Sequence, residues 1–304
     1  MGWRQLVDIG WTIPREGHAV NYLLGNRDAV RTQVESANHQ METMSSQPGV
    51  GPLLRDWRRR RRRTQLDLAL DAGISARHLS FVETGRSKPS PEMVLLLAEH
   101  LGVPFRERNL LLLAAGHAPA FPERSLDEPE LAPIQAGLDL ILTAHEPYPA
   151  IAFDRAWNLV SANSAVGVLT HGVDSALLAP PANVMRISLH PRGMAPRIIN
   201  LGEVRAHFLD RLRRQFATTG DDQLAALIEE ITRYPAPAPS PSPSPRTMLG
   251  PIRLRGPEGV ELSFFGMFAT FDTPFDVTTS ELAIEFVFPA DRVTAAALED
   301  PYRK

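Results

Sequence analysis

The stretch Thr64 to Ser90, TQLDLALDAGISARHLSFVETGRSKPS, decides the fold of the first half of the chain. Thr64 carries the short hydroxyl an N-cap needs, and Leu66, Leu68, Ala69 and Leu70 follow it as helix formers. Ala72-Gly73-Ile74 breaks that pattern with a turn. Ser75 caps a second helix, in which Leu79 and Val82 fall three apart on one face while Ala76, Arg77, His78, Ser80 and Phe81 point elsewhere. Gly85 ends it. Two short helices around a tight glycine turn form a helix-turn-helix, whose second helix is free to enter a DNA major groove.

Working outward, Ser90-Pro91-Glu92 is a helix start, and Val94, Leu95, Leu97, Ala98 and Leu101 supply its buried face. Gly102 stops that helix, and Pro104 opens another over Phe105 to Ala115, whose Leu110 to Leu113 run is core or dimer surface. Upstream, Leu53, Leu54 and Trp57 mark an inward face before Arg58 to Arg63, six arginines in succession. Such a run cannot be buried unpaired, so it is expected at the surface, with some arginines on DNA phosphates. Five helices between residues 50 and 118 complete one all-α domain.

Gln65, Ser75, Glu83-Thr84-Gly85 and the Gly-Arg-Ser-x-Pro-Ser run ending at Ser90 resemble the xenobiotic-response-element (XRE) type of helix-turn-helix. The resemblance implies a five-helix, lambda-repressor-like domain that binds double-stranded DNA as a regulator of transcription. It puts Ala76, Arg77 and Phe81 against bases, with His78 and Ser80 nearby, Ser75 at the cap, and Gln65, Arg86 and Lys88 on phosphates. Of these, Arg77 can bridge guanine O6 and N7, whereas Ala76 and Phe81 can only pack on thymine methyls. Phe81 departs from the Gln or Arg that relatives often place there.

The chain has 304 residues, enough for roughly two domains. With no cysteine it has no disulfide, no cysteine nucleophile and no cysteine-ligated metal. No apolar run is long enough to span a bilayer and no signal sequence opens the chain, so a cytoplasmic protein is expected. The net charge of -3 hides an asymmetry. Val50 to Ala118 carries 12 Lys and Arg against 7 Asp and Glu, while Pro119 to Lys304 carries 16 against 23. The basic block coincides with the helix-turn-helix, as phosphate binding requires.

Residues 1–49 lack a sustained period and are expected to be disordered or not part of the natural product, with Met44 as an alternative start. A linker rich in Pro and acidic residues, 119–131, separates the all-α domain from a second domain over 132–304. There Ile134, Leu138, Ile141 and Leu142 read as a helix, Ala150 to Phe153 and Trp157 to Ser161 as strands around a turn at Asp154-Arg155, and Asn163 as the cap of a short helix. Leu201, Val204, Phe208, Leu212 and Phe216 define one amphipathic helix, and Leu224, Leu227, Ile228 and Ile231 another. Pro235 to Pro245 has proline at every odd position and must be extended, about 34 Å long as a polyproline II rod. Strands return at Pro251 to Arg255, Val260 to Thr270 and Leu282 to Phe288, where Ile284, Phe286 and Phe288 alternate with Glu285 and Val287. About five strands with helical cover make an α+β domain with an antiparallel sheet.

The run Pro149 to Ala165, with Asn183-Val184-Met185-Arg186, His190-Pro191 and the helical stretch Leu201 to Tyr234, resembles the PAS-like ligand-binding domain of MmyB-like transcription regulators. That resemblance implies a sensor for a small, apolar, fatty-acid-like ligand. Phe153, Trp157, Met185, Phe265 and Met267 would line its site, and Asn163, Arg186 or His190 would hold a polar head group. No other cofactor is expected. His145, His171, His190 and His207 show no metal spacing, and no nucleophile elbow, phosphate loop or dinucleotide fingerprint occurs, so an enzyme is not expected. The expected protein is a homodimeric regulator on a pseudo-palindromic operator. The alternative is a DNA-binding protein whose second domain serves only dimerisation or partner recruitment.

Overall fold

The computed structural model describes residues 20–21, 49–238, 250–256, 259–271 and 274–299. Five helices build the first domain: α1 (Val50–Arg60), α2 (Gln65–Asp71), α3 (Ala76–Glu83), α4 (Pro91–His100) and α5 (Phe105–Ala114). Their ends follow the side chains. The Thr64 hydroxyl accepts from the Asp67 N–H and the Asp67 carboxylate accepts from the Thr64 N–H, a reciprocal capping box. Ser75 and Ser90 cap α3 and α4 through the N–H groups of His78 and Met93. Gly85 has φ +74°, and beyond it the Arg86 N–H turns back to the Phe81 carbonyl at 2.8 Å, closing α3.

Leu54, Leu79, Val82, Val94, Leu97 and Ala98 are wholly buried at the centre of this domain. Gly51 lets α1 lie directly on the end of α3, because a Cβ there would stand 2.6 Å from the Val82 carbonyl oxygen and 2.7 Å from that of Glu83. The expected inward residues of the five helices therefore share one core. On α2, by contrast, Leu66 and Leu70 stay exposed.

The second domain holds an antiparallel sheet with strand order β1-β3-β2-β6-β5-β4. Its strands are β1 (Val20–Asn21), β2 (Ala150–Phe153), β3 (Leu159–Ala162), β4 (Ile252–Arg255), β5 (Glu261–Thr270) and β6 (Ala283–Pro289). Helix α6 (Ala132–Ala144) covers one face, where Leu138 and Leu142 pack on Ala150, Ala152 and Ile284. Short helices α7 (Gly167–Thr170), α8 (Ser175–Leu178) and α9 (Val184–Leu189), then long α10 (Leu201–Thr219) and α11 (Asp222–Thr232), pack on the other. There Phe153, Leu254, Leu262 and Phe264 meet Met185, Leu212, Leu227 and Ile231. Helices α12 (Val277–Glu281) and α13 (Arg292–Glu299) flank β6 in the chain. The period-2 alternation along β6 survives as two different environments, since Phe286 faces α6 while Glu285 and Val287 face the α10 side.

Trp157 corrects the sequence reading. It does not begin a strand but sits in the turn between β2 and β3 with φ +68°, an unusual conformation for a bulky residue. The Asp154 carboxylate holds that turn by accepting from the N–H groups of Ala156 and Asn158. The start of the linker is pinned to both domains. Asn109 on α5 binds the backbone of Ala120 and Phe121, Phe121 stacks on Phe105 at 4.1 Å, and the Pro122 carbonyl accepts from the Val277 N–H. Of residues 1–48, only Val20 and Asn21 are described, paired with Ala162 and Ser161 at the sheet edge. The expected polyproline rod lies outside the described residues beyond Ala238.

Candidate nucleic-acid interface and sensor site

The arginine run divides among several tasks. Arg58 is buried rather than at the surface, and its Nε and Nη2 donate to the two Glu83 oxygens at 2.6 and 2.8 Å. Gln65 donates to the same carboxylate at 2.8 Å, which commits to the interior a side chain expected on phosphate. Burial alone would raise the Glu83 pKa, but the hydrogen bonds from Arg58 and Gln65 and the Arg58 charge hold it below the usual range. Arg61 caps α4 through the Leu101 and Gly102 carbonyls, and Arg63 reaches the His100 carbonyl and Asp71. Arg60 crosses to the second domain and donates to the Thr219 carbonyl at the end of α10, at 3.1 Å. Arg59 and Arg62 are exposed, and their side chains make no hydrogen bond or ion pair with the described residues. These two alone in the run keep the freedom that the phosphate reading gave all six.

With Leu79, Val82 and Glu83 locked inside, α3 presents its other side to solvent. The Arg77 and Arg86 guanidinium groups lie 5.3 and 5.9 Å from the Phe81 ring centre, one on each end of the helix. This orders two cations around an aromatic, a contact worth about 0.5–1 kcal/mol at an exposed site. His78 and Ser80 are half-buried beside them. Ala76 packs partly on the core edge, so it offers less outward surface than its position suggested. Ser75 spends its hydroxyl on the cap. Lys88 is exposed, and its ammonium lies over Gly116 at the end of α5, 3.2 Å from where a Cβ would stand.

In the second domain the expected lining residues separate. Phe153 and Trp157 are buried and stacked, ring centres 4.6 Å apart, and Met185 is in the same core cluster. Phe265 and Met267 lie on the opposite face of the sheet, 45% and 56% exposed, with Phe265 stacked on Phe288. They cannot share a site with Trp157 across the sheet. The expected head-group residues are also committed. Asn163 does not cap a helix with its side chain; buried, it accepts from the Ala150 N–H and donates to the carbonyls of Leu142 and Tyr148. Arg186 pairs bidentately with Glu230, and His190 accepts from the Arg192 N–H and packs edge-on to Tyr234.

What gathers around Trp157 instead is a set the sequence reading missed: Arg211 and Gln215 on α10, Phe268 on β5 and Glu285 on β6. The Trp157 indole N–H donates to Gln215 at 2.9 Å, and Gln215 donates back to the Arg155 carbonyl at 2.7 Å. Arg211 lies over both Trp157 and Phe268. A glutamate in the otherwise apolar strand AIEFVFP was the available signal; nothing local tied it to Arg211.

Two residues before Trp157, the Arg155 side chain points to the junction between the domains. It pairs with Asp221 at 3.1 Å, Glu107 at 3.5 Å and Glu281 at 3.7 Å. Arg106 on α5 grips Glu281 with two hydrogen bonds, at 2.8 and 2.9 Å, and also meets Glu123 at 2.6 Å. The Glu107 pKa is raised, chiefly by burial. The turn that carries Trp157 and the helix that carries Arg211 each touch the all-α domain, through Arg155 and through Arg60.

The chain thus joins a helix-turn-helix domain to an α+β domain with an antiparallel sheet. It belongs to the family defined by the MmyB-like transcription regulator ligand binding domain, matched over residues 134–300, and residues 54–108 match a helix-turn-helix family. Both are modules of transcription regulators and not of enzymes. A Bacillus subtilis (strain 168) protein named uncharacterized HTH-type transcriptional regulator RghRB is 43% identical over 74 residues, 24% of this chain. The matched segment spans about half of that relative's length, 51%. A solved structure of an RNA-binding light-oxygen-voltage receptor is 13% identical, covers 91% of this chain and 68% of its own, and superposes with a TM-score of 0.24. A score that low supports no conclusion. Among the described residues no helix is long and apolar enough to cross a membrane.

Proposed function

We propose that this chain is a sequence-specific DNA-binding regulator of transcription, working in the cytoplasm as a homodimer on a pseudo-palindromic operator, and that its α+β domain senses a small, apolar, fatty-acid-like ligand. The observation that carries the DNA half is the outer face of α3. Arg77 and Phe81 stand on a short helix, with Arg86 just past its end, and the inner face of that helix is fastened by Leu79, Val82 and the Glu83 network. A rigid helix presenting one stacked arginine to base edges has the form that direct readout needs. The sensing half is supported by connectivity. Trp157 and Arg211 belong to two elements that also touch α1 and α5, so a ligand that moves either one biases how the reading head is held.

Selection of DNA fragments by the full chain tests the first half. A defined two-half-site consensus is the expected result, with Arg77→Ala broadening it at one position per half-site. Retention of all sequences alike, vanishing at higher salt, would refute sequence-specific binding. The exposed strip of Phe265 and Met267 favours a second role for the α+β domain as a dimerisation surface. Sedimentation of Met267→Glu separates the two roles, since loss of the dimer with ligand binding intact assigns that strip to assembly.

A further inference from the structure

At about 100° per residue, Arg77 and Phe81 fall one turn apart on the ridge of α3 opposite Leu79, Val82 and Glu83, the residues that fasten the helix inside. The Phe81 ring takes no part in the core that Leu79 and Val82 join. Against it stand two guanidinium groups, that of Arg77 at 5.3 Å and that of Arg86 at 5.9 Å. The Phe81 carbonyl closes the helix by accepting from the Arg86 and Ser87 N–H groups, a task that needs no aromatic side chain. Packing within the domain therefore does not account for the ring. Its place on the outward ridge turns it toward the DNA that α3 is read to enter.

The chemistry of Arg77 limits what the ring can meet. A guanidinium lying over an aromatic uses its flat face there and keeps the N–H donors of its edge free. Those donors match guanine O6 and N7 when the guanidinium lies in the plane of the base. The 5.3 Å between Arg77 and the ring is more than one base-pair rise of about 3.4 Å and less than two, so the ring then faces the adjoining base pair. On that edge Phe81 offers neither donor nor acceptor, and the apolar group of the major groove is the methyl on pyrimidine C5. Thymine carries that methyl, and so does a cytosine methylated at C5. The two differ in O4 and the N4 amine, which a phenyl ring does not distinguish.

We propose that Arg77 and Phe81 read a two-base unit, a guanine next to a pyrimidine with a C5-methyl, and that the chain accepts methylated cytosine there as it accepts thymine. This rests on reading α3 as the helix that enters the major groove. Phe81 then determines specificity in two ways. It touches the methyl itself, and it holds Arg77 in the pose for guanine, so that less side-chain freedom is lost on binding. Cytosine methylation beside that guanine becomes a signal the all-α domain detects. An unmethylated cytosine leaves the ring against a polar edge, and the added methyl restores the contact.

DNA selected from a random library by the full chain supplies the test duplexes. The guanine whose preference Arg77→Ala erases marks the position, and the thymine of the adjoining base pair is kept or replaced by deoxyuridine, cytosine or methylated cytosine. Fluorescence anisotropy should rank thymine and methylated cytosine together, with deoxyuridine and cytosine about fourfold weaker per half-site, the worth of one buried methyl. Phe81→Ala should abolish that difference and relax the guanine preference. Phe81→Leu, apolar but without a ring, should keep the methyl difference and relax the guanine preference alone. Three results overturn the two-base unit while leaving sequence-specific binding intact: Arg77→Ala that erases no guanine preference, a consensus with no thymine in the adjoining pair, or deoxyuridine bound as tightly as thymine. Selection that yields no consensus overturns the reading of α3 as well.

Discussion

Replacing Arg58 with Met separates the two roles open to the arginine run. In the structure Arg58 gives two hydrogen bonds to a buried Glu83, and Gln65 gives a third. Removing the arginine strands a carboxylate that is 4% exposed, with one neutral donor left. Breaking a buried pair from one side costs about 3–5 kcal/mol. For a domain this small each kcal/mol moves the midpoint by about 4–8 °C, so the all-α domain should melt at least about 12 °C lower. Arg58→Met with Glu83→Leu should recover most of that, because no charge is then left buried. Circular dichroism melts of the full chain, with the double variant as control, give the reading. An unchanged melt for Arg58→Met, together with a shallower salt dependence of DNA binding, would mean that Arg58 serves phosphate and the interior pair is illusory. The pH sign follows from Glu83. Its folded pKa is depressed, so the stabilisation is complete above the unfolded value of about 4.3 and disappears as pH falls through the folded one.

Arg59→Ala should weaken binding to all DNA alike and lower the salt slope by about 0.9, whereas Arg77→Ala should cost about 1–3 kcal/mol at one base position; fluorescence anisotropy on specific and scrambled duplexes distinguishes them. Gly51→Ala should destabilise the all-α domain by about 1–3 kcal/mol in urea titration, since its methyl must push α1 off the Val82 and Glu83 carbonyls. Glu281→Ala removes the double grip of Arg106 and should loosen the junction, seen as faster protease cleavage across residues 117–131 with both domains still folded. Because burial raises the Glu107 pKa, the junction should also loosen as pH rises through that value, and Glu107→Gln should abolish this drift in the cleavage rate.

Local chemistry made the helix-turn-helix legible. Thr64, Ser75 and Ser90 cap helices and Gly73 and Gly85 end them through contacts only a few residues away, so their order in the chain carries the information. The strands of the second domain were legible for the same reason, with Trp157 as the exception: its aromatic ring suggested a strand, but the Asp154 turn and the Gln215 hydrogen bond hold it in the left-handed region. The placement of the expected lining and head-group residues was less legible. Phe265 and Met267 lie on the face of the sheet opposite Phe153 and Trp157, and Asn163 spends its polar group on three backbone partners.

The sequence by itself determined the helix boundaries, the outward side of α3, the basic character of the first domain and the alternation of the last strand, because each follows from a period or a cap within one element. The tertiary structure alone decided that Arg58 is an interior residue while Arg60 reaches the other domain, though the two are near neighbours in a run of identical side chains. It also brought Trp157, Arg211, Phe268 and Glu285 together from four elements. Burial and charge pairing depend on what arrives from elsewhere in the chain, and no local pattern records that arrival.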